Sequence, residues 1–175
     1  MSSIACFTTA QAASALDMPF ATIGTWASHR WLEPFEASGD VVRAGSGSRA
    51  PRLLSRNAIR ALSILRAASL TTGVSADLPG LAMQATQLFS DFWPHVRQVR
   101  IAYTAGPDSH TVLMVDPHLM ATQAEPDNWL NVQAFNLALL FGRVDAALDA
   151  MEAKNERSPS LMTVIAPHPA SMVRA

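Results

Sequence analysis

Cysteine is almost absent: the 175 residues hold one, Cys6. A single thiol excludes an internal disulfide and a cysteine-rich zinc site. Long apolar runs are absent too. Nothing approaches the roughly 18 uncharged apolar residues of a membrane-spanning helix, so no membrane partner is expected. The first residues show no basic stretch followed by an apolar core, the mark of a secretory signal. These absences suit a cytoplasmic protein. No glycine-rich phosphate loop, zinc signature or nucleophile elbow occurs. His110, Asp116 and His118 lie close in sequence, but not at the spacing that sets two histidines on one helix face. Strand-edge histidines are the simpler reading, and no base accompanies Cys6. Catalytic residues, a metal and a cofactor are therefore not expected, and the chain does not read as an enzyme.

What is present is apolar bulk and a divided charge. Apolar residues make up 49% of the chain, enough to bury a core in one moderate domain or two small ones. The net charge of −1 conceals a split. Residues 1–72 hold seven arginines against four acids, for +3; residues 73–175 hold six basic against ten acidic groups, for −4. Such asymmetry between halves is a mark of a nucleic-acid-binding part joined to something else.

The first half divides into short elements. Thr8 and Gln11 have the spacing of a capping box, opening a helix with Ala12, Ala13 and Leu16 on one side. Asp17 ends it, being a residue that tolerates the left-handed conformation of a tight turn. Pro19 suits the start of a second helix, whose buried face is Ile23, Trp26 and Ala27. Trp31 and Leu32 close the core, and Pro34 is expected to stop this helix. Two short helices on a tight turn follow the helix-turn-helix plan. Residues 41–43 and 51–54 then read as strands around a flexible basic loop, 44–50: a hairpin with a mobile tip, or wing. Ser55 caps a third helix over 56–69, with Ile59, Leu62, Ile64, Leu65 and Leu70 available to the core.

Three stretches carry a family likeness. DMPFATIGTW is similar to the turn and following helix, opening Ser-Pro-x-Thr-Leu-Arg-x-aromatic, of MerR-type transcription regulators. RWLEP is similar to that family's Gly-Leu-Leu-x-Pro. RLLSRNAIRALSIL is similar to its Arg-x-Tyr-Ser-x-x-Asp-(x)2-x-Leu-x-x-Ile segment. Over residues 7–72 the chain thus resembles the winged helix-turn-helix of that family. It departs in detail. The family's turn glycine is Asp17, its helix-opening serine is Pro19, its usual arginine is Gly24 or Thr25, and the glycine before its leucine pair is Arg30. The wing is long and glycine-rich. The resemblance implies a DNA-binding regulator whose second helix reads bases.

The reading face is expected to be Ala21, Thr22, Thr25, Ser28 and His29, opposite the buried side. Hydroxyls can bond phosphates or base edges, and alanine or a threonine methyl can touch thymine methyls. Arg30, Arg43, Arg49 and Arg52, with Ser46 and Ser48 in the loop, are placed to meet phosphate or a minor groove beside the wing.

Beyond residue 72 the family pattern, one long dimerising helix, does not continue. A new helix is expected over 77–92, then strands at 100–104 and 111–115 around a turn, and a third at 161–165. Leu130, Ala134, Leu137, Phe141, Val144, Leu148 and Met151 repeat at spacings of four and three, an a/d seam for a dimerising helix. The expected fold is mostly α: an N-terminal winged helix-turn-helix (1–72), then a small α+β dimerisation or effector domain (73–175) with a long apolar helix. The expected function is a sequence-specific DNA-binding transcription regulator of bacterial, prophage or mobile-element type. Double-stranded DNA, a second copy and RNA polymerase are its expected partners. The alternative is a protein-interaction or small-molecule-sensing module using the same winged helix without DNA.

Overall fold

The computed structural model describes residues 6–46, 50–72, 78–92, 98–104, 110–114 and 129–157. They are mostly helical, with two small antiparallel sheets. The chain opens with strand β1 (Cys6–Thr8) and helix α1 (Thr9–Ala15). The Thr8 hydroxyl accepts from the Gln11 amide at 3.2 Å, and the Gln11 side chain accepts from the Thr8 amide at 2.8 Å. That reciprocal cap satisfies two amides the helix itself cannot pair. Asp17 turns the chain with φ of +48°, the left-handed conformation its sequence position predicts. Helix α2 (Phe20–Ser28) follows Pro19.

Pro34 does not stop α2. That helix ends at Ser28, and Arg30 takes a left-handed φ of +64°. Pro34 instead sits in the first turn of a further short helix, α3 (Glu33–Ser38), where a missing amide costs nothing. Gly39, at φ +82°, ends α3. Strands β2 (Val41–Arg43) and β3 (Arg52–Ser55) form the hairpin, and β1 pairs with the other edge of β3. Phe7 and Val41 both register with Leu54 at the centre of this sheet. Ser55 is 6% exposed; its hydroxyl donates to Asp40 at 2.6 Å and accepts from the Ala58 amide at 3.0 Å, capping helix α4 (Arg56–Thr72).

Helix α5 (Leu78–Phe92) packs on α4. A second sheet, ordered β5-β4-β6, is built from β4 (Gln98–Thr104), β5 (His110–Met114) and β6 (Trp129–Asn136). β6 runs directly into α6 (Leu137–Arg157), where the Asn136 side-chain oxygen accepts from the Leu139 amide at 3.1 Å. The strand expected at 161–165 lies outside the described residues.

One buried cluster unites these parts. It runs from Phe7, Ile23, Trp26, Leu32, Phe35 and Leu54 through Ile59, Leu62 and Leu65 of α4. It continues into Leu78 and Ala85 of α5 and Leu137, Phe141, Val144 and Leu148 of α6. Buried residues from both sides of residue 72 belong to this cluster.

The expected dimerisation seam changes meaning here. Leu130 and Ala134 belong to β6, not to a helix; Ala134 pairs across with Arg100, and Leu130 falls at a register shift. A spacing of four is ambiguous, being one helical turn or two pleats of a strand. Leu137, Phe141, Val144 and Leu148 do form a stripe on α6. That stripe is buried within the chain, at no more than 3% exposure, against α1 and α4. Met151 is half-buried beside it. Leu137, Phe141, Val144 and Leu148 belong to the chain's own core.

Candidate nucleic-acid interface

α2 is held by its inner side. Ile23 and Trp26 are buried, and Trp31 lies against Trp26 with ring centroids 6.0 Å apart. Its outer side faces solvent: Ala21, Gly24, Thr25, Ser28 and His29 are exposed and Thr22 is half-buried. Four of the five residues expected to read bases lie on α2 and the fifth, His29, caps its C-terminal end; all but Thr22 are open to solvent. Their chemistry is narrower than the sequence suggests. The Thr25 hydroxyl donates to the Ala21 carbonyl at 3.1 Å, and the Ser28 hydroxyl to the Thr25 carbonyl at 2.7 Å. The His29 ring stands 5.8 Å from that of Trp31.

The hairpin beside α2 carries the arginines. Glu36 of α3 accepts from Arg52 at 2.8 Å and from Arg43 at 3.3 Å. The Arg52 hydrogen bond leads in holding the Glu36 carboxyl below its usual range; burial opposes this, and the charge of Arg43 assists. One carboxylate thus stands between two guanidiniums at the loop end of the hairpin, where Arg43 and Arg52 pair across the strands. Arg30 pairs with Glu33 at 2.7 Å on the open surface, an interaction of little energetic weight. Ser46 is exposed near the tip; Ser48 and Arg49 lie outside the described residues.

Phe20 was not among the expected site residues. It is 60% exposed at the first turn of α2 and lines a groove of about 480 Å³ with Gly24, Ala27, Ala50, Pro51 and Arg52. The sequence pattern points the other way: at 100° per residue Phe20 lies beside Ala27 and nearer to Ile23 than to Ala21, at the edge of the apolar arc, so a buried ring is the simpler expectation. Nothing precedes it in the helix to cover it.

A second charged cluster lies away from this face. Arg56 of α4 reaches Asp149 at 2.7 Å, Glu152 at 3.1 Å and Asp145 at 3.3 Å; Arg60 reaches Asp145 at 2.8 Å. Among the described residues there is no group of three or more acidic, histidine or cysteine side chains that could hold a metal ion. Nor is any helix long and apolar enough to cross a membrane. No family model matches this chain, and comparison with curated proteins finds no match.

Proposed function

We propose that this chain is a sequence-specific DNA-binding transcription regulator in which residues 6–72 act as a winged helix-turn-helix. In this reading α2 lies in the major groove and the β2–β3 hairpin is the wing that meets the backbone. The observation that carries it is the arrangement of α2. It follows a tight turn from α1, is anchored by Ile23 and Trp26 with the half-buried Ala27, and leaves its outer face open beside the arginine-bearing hairpin. That is the placement a recognition helix needs. Pairing of two chains on two half-sites belongs to the proposal, through a surface other than the buried stripe of α6.

Selection of duplexes from a randomised library by the full chain tests the reading. A preferred sequence should emerge. Its log affinity should fall with log salt at a slope of about −0.9 per phosphate neutralised. Arg49→Ala should weaken binding to all sequences and flatten that slope by about one, whereas His29→Ala should change which base is preferred. Failure to enrich any sequence, with no salt-dependent duplex binding, overturns the proposal.

A second reading, a small-molecule sensor, has one observation in its favour. A cavity of about 410 Å³ lies between the α1–α2 turn, α4 and α6, lined by Leu16, Asp17, Arg66, Leu140, Arg143 and Val144. Its volume suits a small ligand, and a thermal-shift screen of metabolites tests it.

A further inference from the structure

We propose that α2 recognises thymine through its 5-methyl group, with Phe20, Ala21 and the Thr25 methyl as the contacting surface; this rests on the DNA-binding reading above. The first argument is what the helix lacks. FATIGTWAS contains no arginine, lysine, asparagine, glutamine or acid. The side chains that pair in two-pronged fashion with guanine or adenine, or accept from cytosine, are therefore missing from it. The two hydroxyls on its outer face donate inward, Thr25 to the Ala21 carbonyl and Ser28 to the Thr25 carbonyl. The N7 and O6 acceptors of guanine would thus meet no committed donor along the helix.

The second argument is what the helix exposes. Phe20 presents most of its ring at the leading turn, Ala21 is exposed next to it, and Gly24 leaves open space where a side chain would stand. Apolar atoms at the front of a helix that enters the major groove can meet one apolar feature of the bases there, the thymine methyl. The absence of a side chain at Gly24 lets the helix backbone approach closely, so that short side chains reach. Charge agrees: α2 holds no acid, and residues 1–72 carry a net +3. The occupant is thus an A·T-containing stretch of duplex whose thymines face α2.

The test uses the full chain and the duplex selected above. Each thymine is replaced in turn by deoxyuridine, which deletes the methyl and keeps every hydrogen-bonding group. One or more replacements should weaken binding about three- to five-fold, the value of one buried methyl. Replacing a cytosine by 5-methylcytosine at such a position should restore part of the loss relative to cytosine. Phe20→Ala should equalise affinities for the thymine and uracil duplexes, and circular dichroism should show it folded, because the ring is mostly outside the core. Arg49→Ala should weaken both duplexes alike. Selective binding unchanged by every uracil substitution overturns the methyl reading and leaves DNA binding intact. Absence of any selective duplex binding overturns both.

Discussion

Glu36 is the residue on which the hairpin's placement turns. Its carboxylate joins α3 to both strands of the hairpin, through Arg43 and Arg52. Because its pKa is lowered in the fold, the stability it contributes is present above the unfolded value. It is lost as pH falls through the folded one. Glu36→Gln should therefore be less stable than wild type at pH 7, and the gap should narrow as the pH falls below the usual carboxylate range, as urea titrations across that range would show. Equal stability at pH 7 would mean that the two arginines are held by other contacts. Arg30 makes a different point. It holds a left-handed backbone where the resembling family has glycine. Such a conformation penalises branched side chains most. Arg30→Val should cost about 1–2 kcal/mol, while Arg30→Gly should stay within about 0.5 kcal/mol, since relief of strain offsets the greater freedom of the unfolded chain.

At the scale of elements, α4 and α6 are joined by more than apolar packing. Asp145 serves both Arg56 and Arg60, whose guanidiniums also lie 6.0 Å from the Phe7 ring and 5.7 Å from the Phe141 ring respectively. Asp145 is 27% exposed and Asp149 66% exposed. Removing a partly buried partner strands the opposite charge, whereas an exposed pair contributes little. Asp145→Asn should lower stability by about 1–2 kcal/mol and Asp149→Asn by less than about 0.5 kcal/mol. Equal effects in chemical denaturation would show that burial does not set the strength of this network. The network also uses up the positive charge at the start of α4, leaving the hairpin as the basic part of the proposed interface.

For the molecule as a whole, the buried stripe of α6 decides how the two halves of the chain depend on each other. Leu137 and Leu148 are fully buried against the N-terminal helices. Leu137→Asp should unfold the chain rather than dissociate a dimer, because a carboxylate cannot be accommodated among apolar neighbours. Leu148→Ala should cost about 2–5 kcal/mol. Circular dichroism and sedimentation together separate the outcomes. A folded, monomeric Leu137→Asp protein derived from a dimeric wild type would return this stripe to an intermolecular role. For the same reason residues 1–72 alone should be less stable than within the full chain, since cutting there uncovers apolar residues of α4.

Local features are legible in the sequence because local physics decides them. The Thr8 cap, the left-handed Asp17, the buried Ile23 and Trp26, the hairpin strands and the Ser55 cap each depend on residues within a turn or two. Helix α5 and strands β4 and β5 follow from apolar pattern and breakers in the same way. Features that pattern leaves degenerate needed the tertiary structure. The four-residue spacing of Leu130 and Ala134 fits helix and strand alike, and pairing of β6 with β4 made it a strand. Pro34 reads as a helix stop until Arg30 has already turned the chain, after which it begins α3. The apolar stripe of α6 announces that it must be buried but not against what, and only packing against α1 and α4 assigned it to the chain's own core. The exposure of Phe20 belongs to the same group. Composition drives an aromatic ring inward, and only the arrangement of Ile23 and Trp26 around the core left this one facing water.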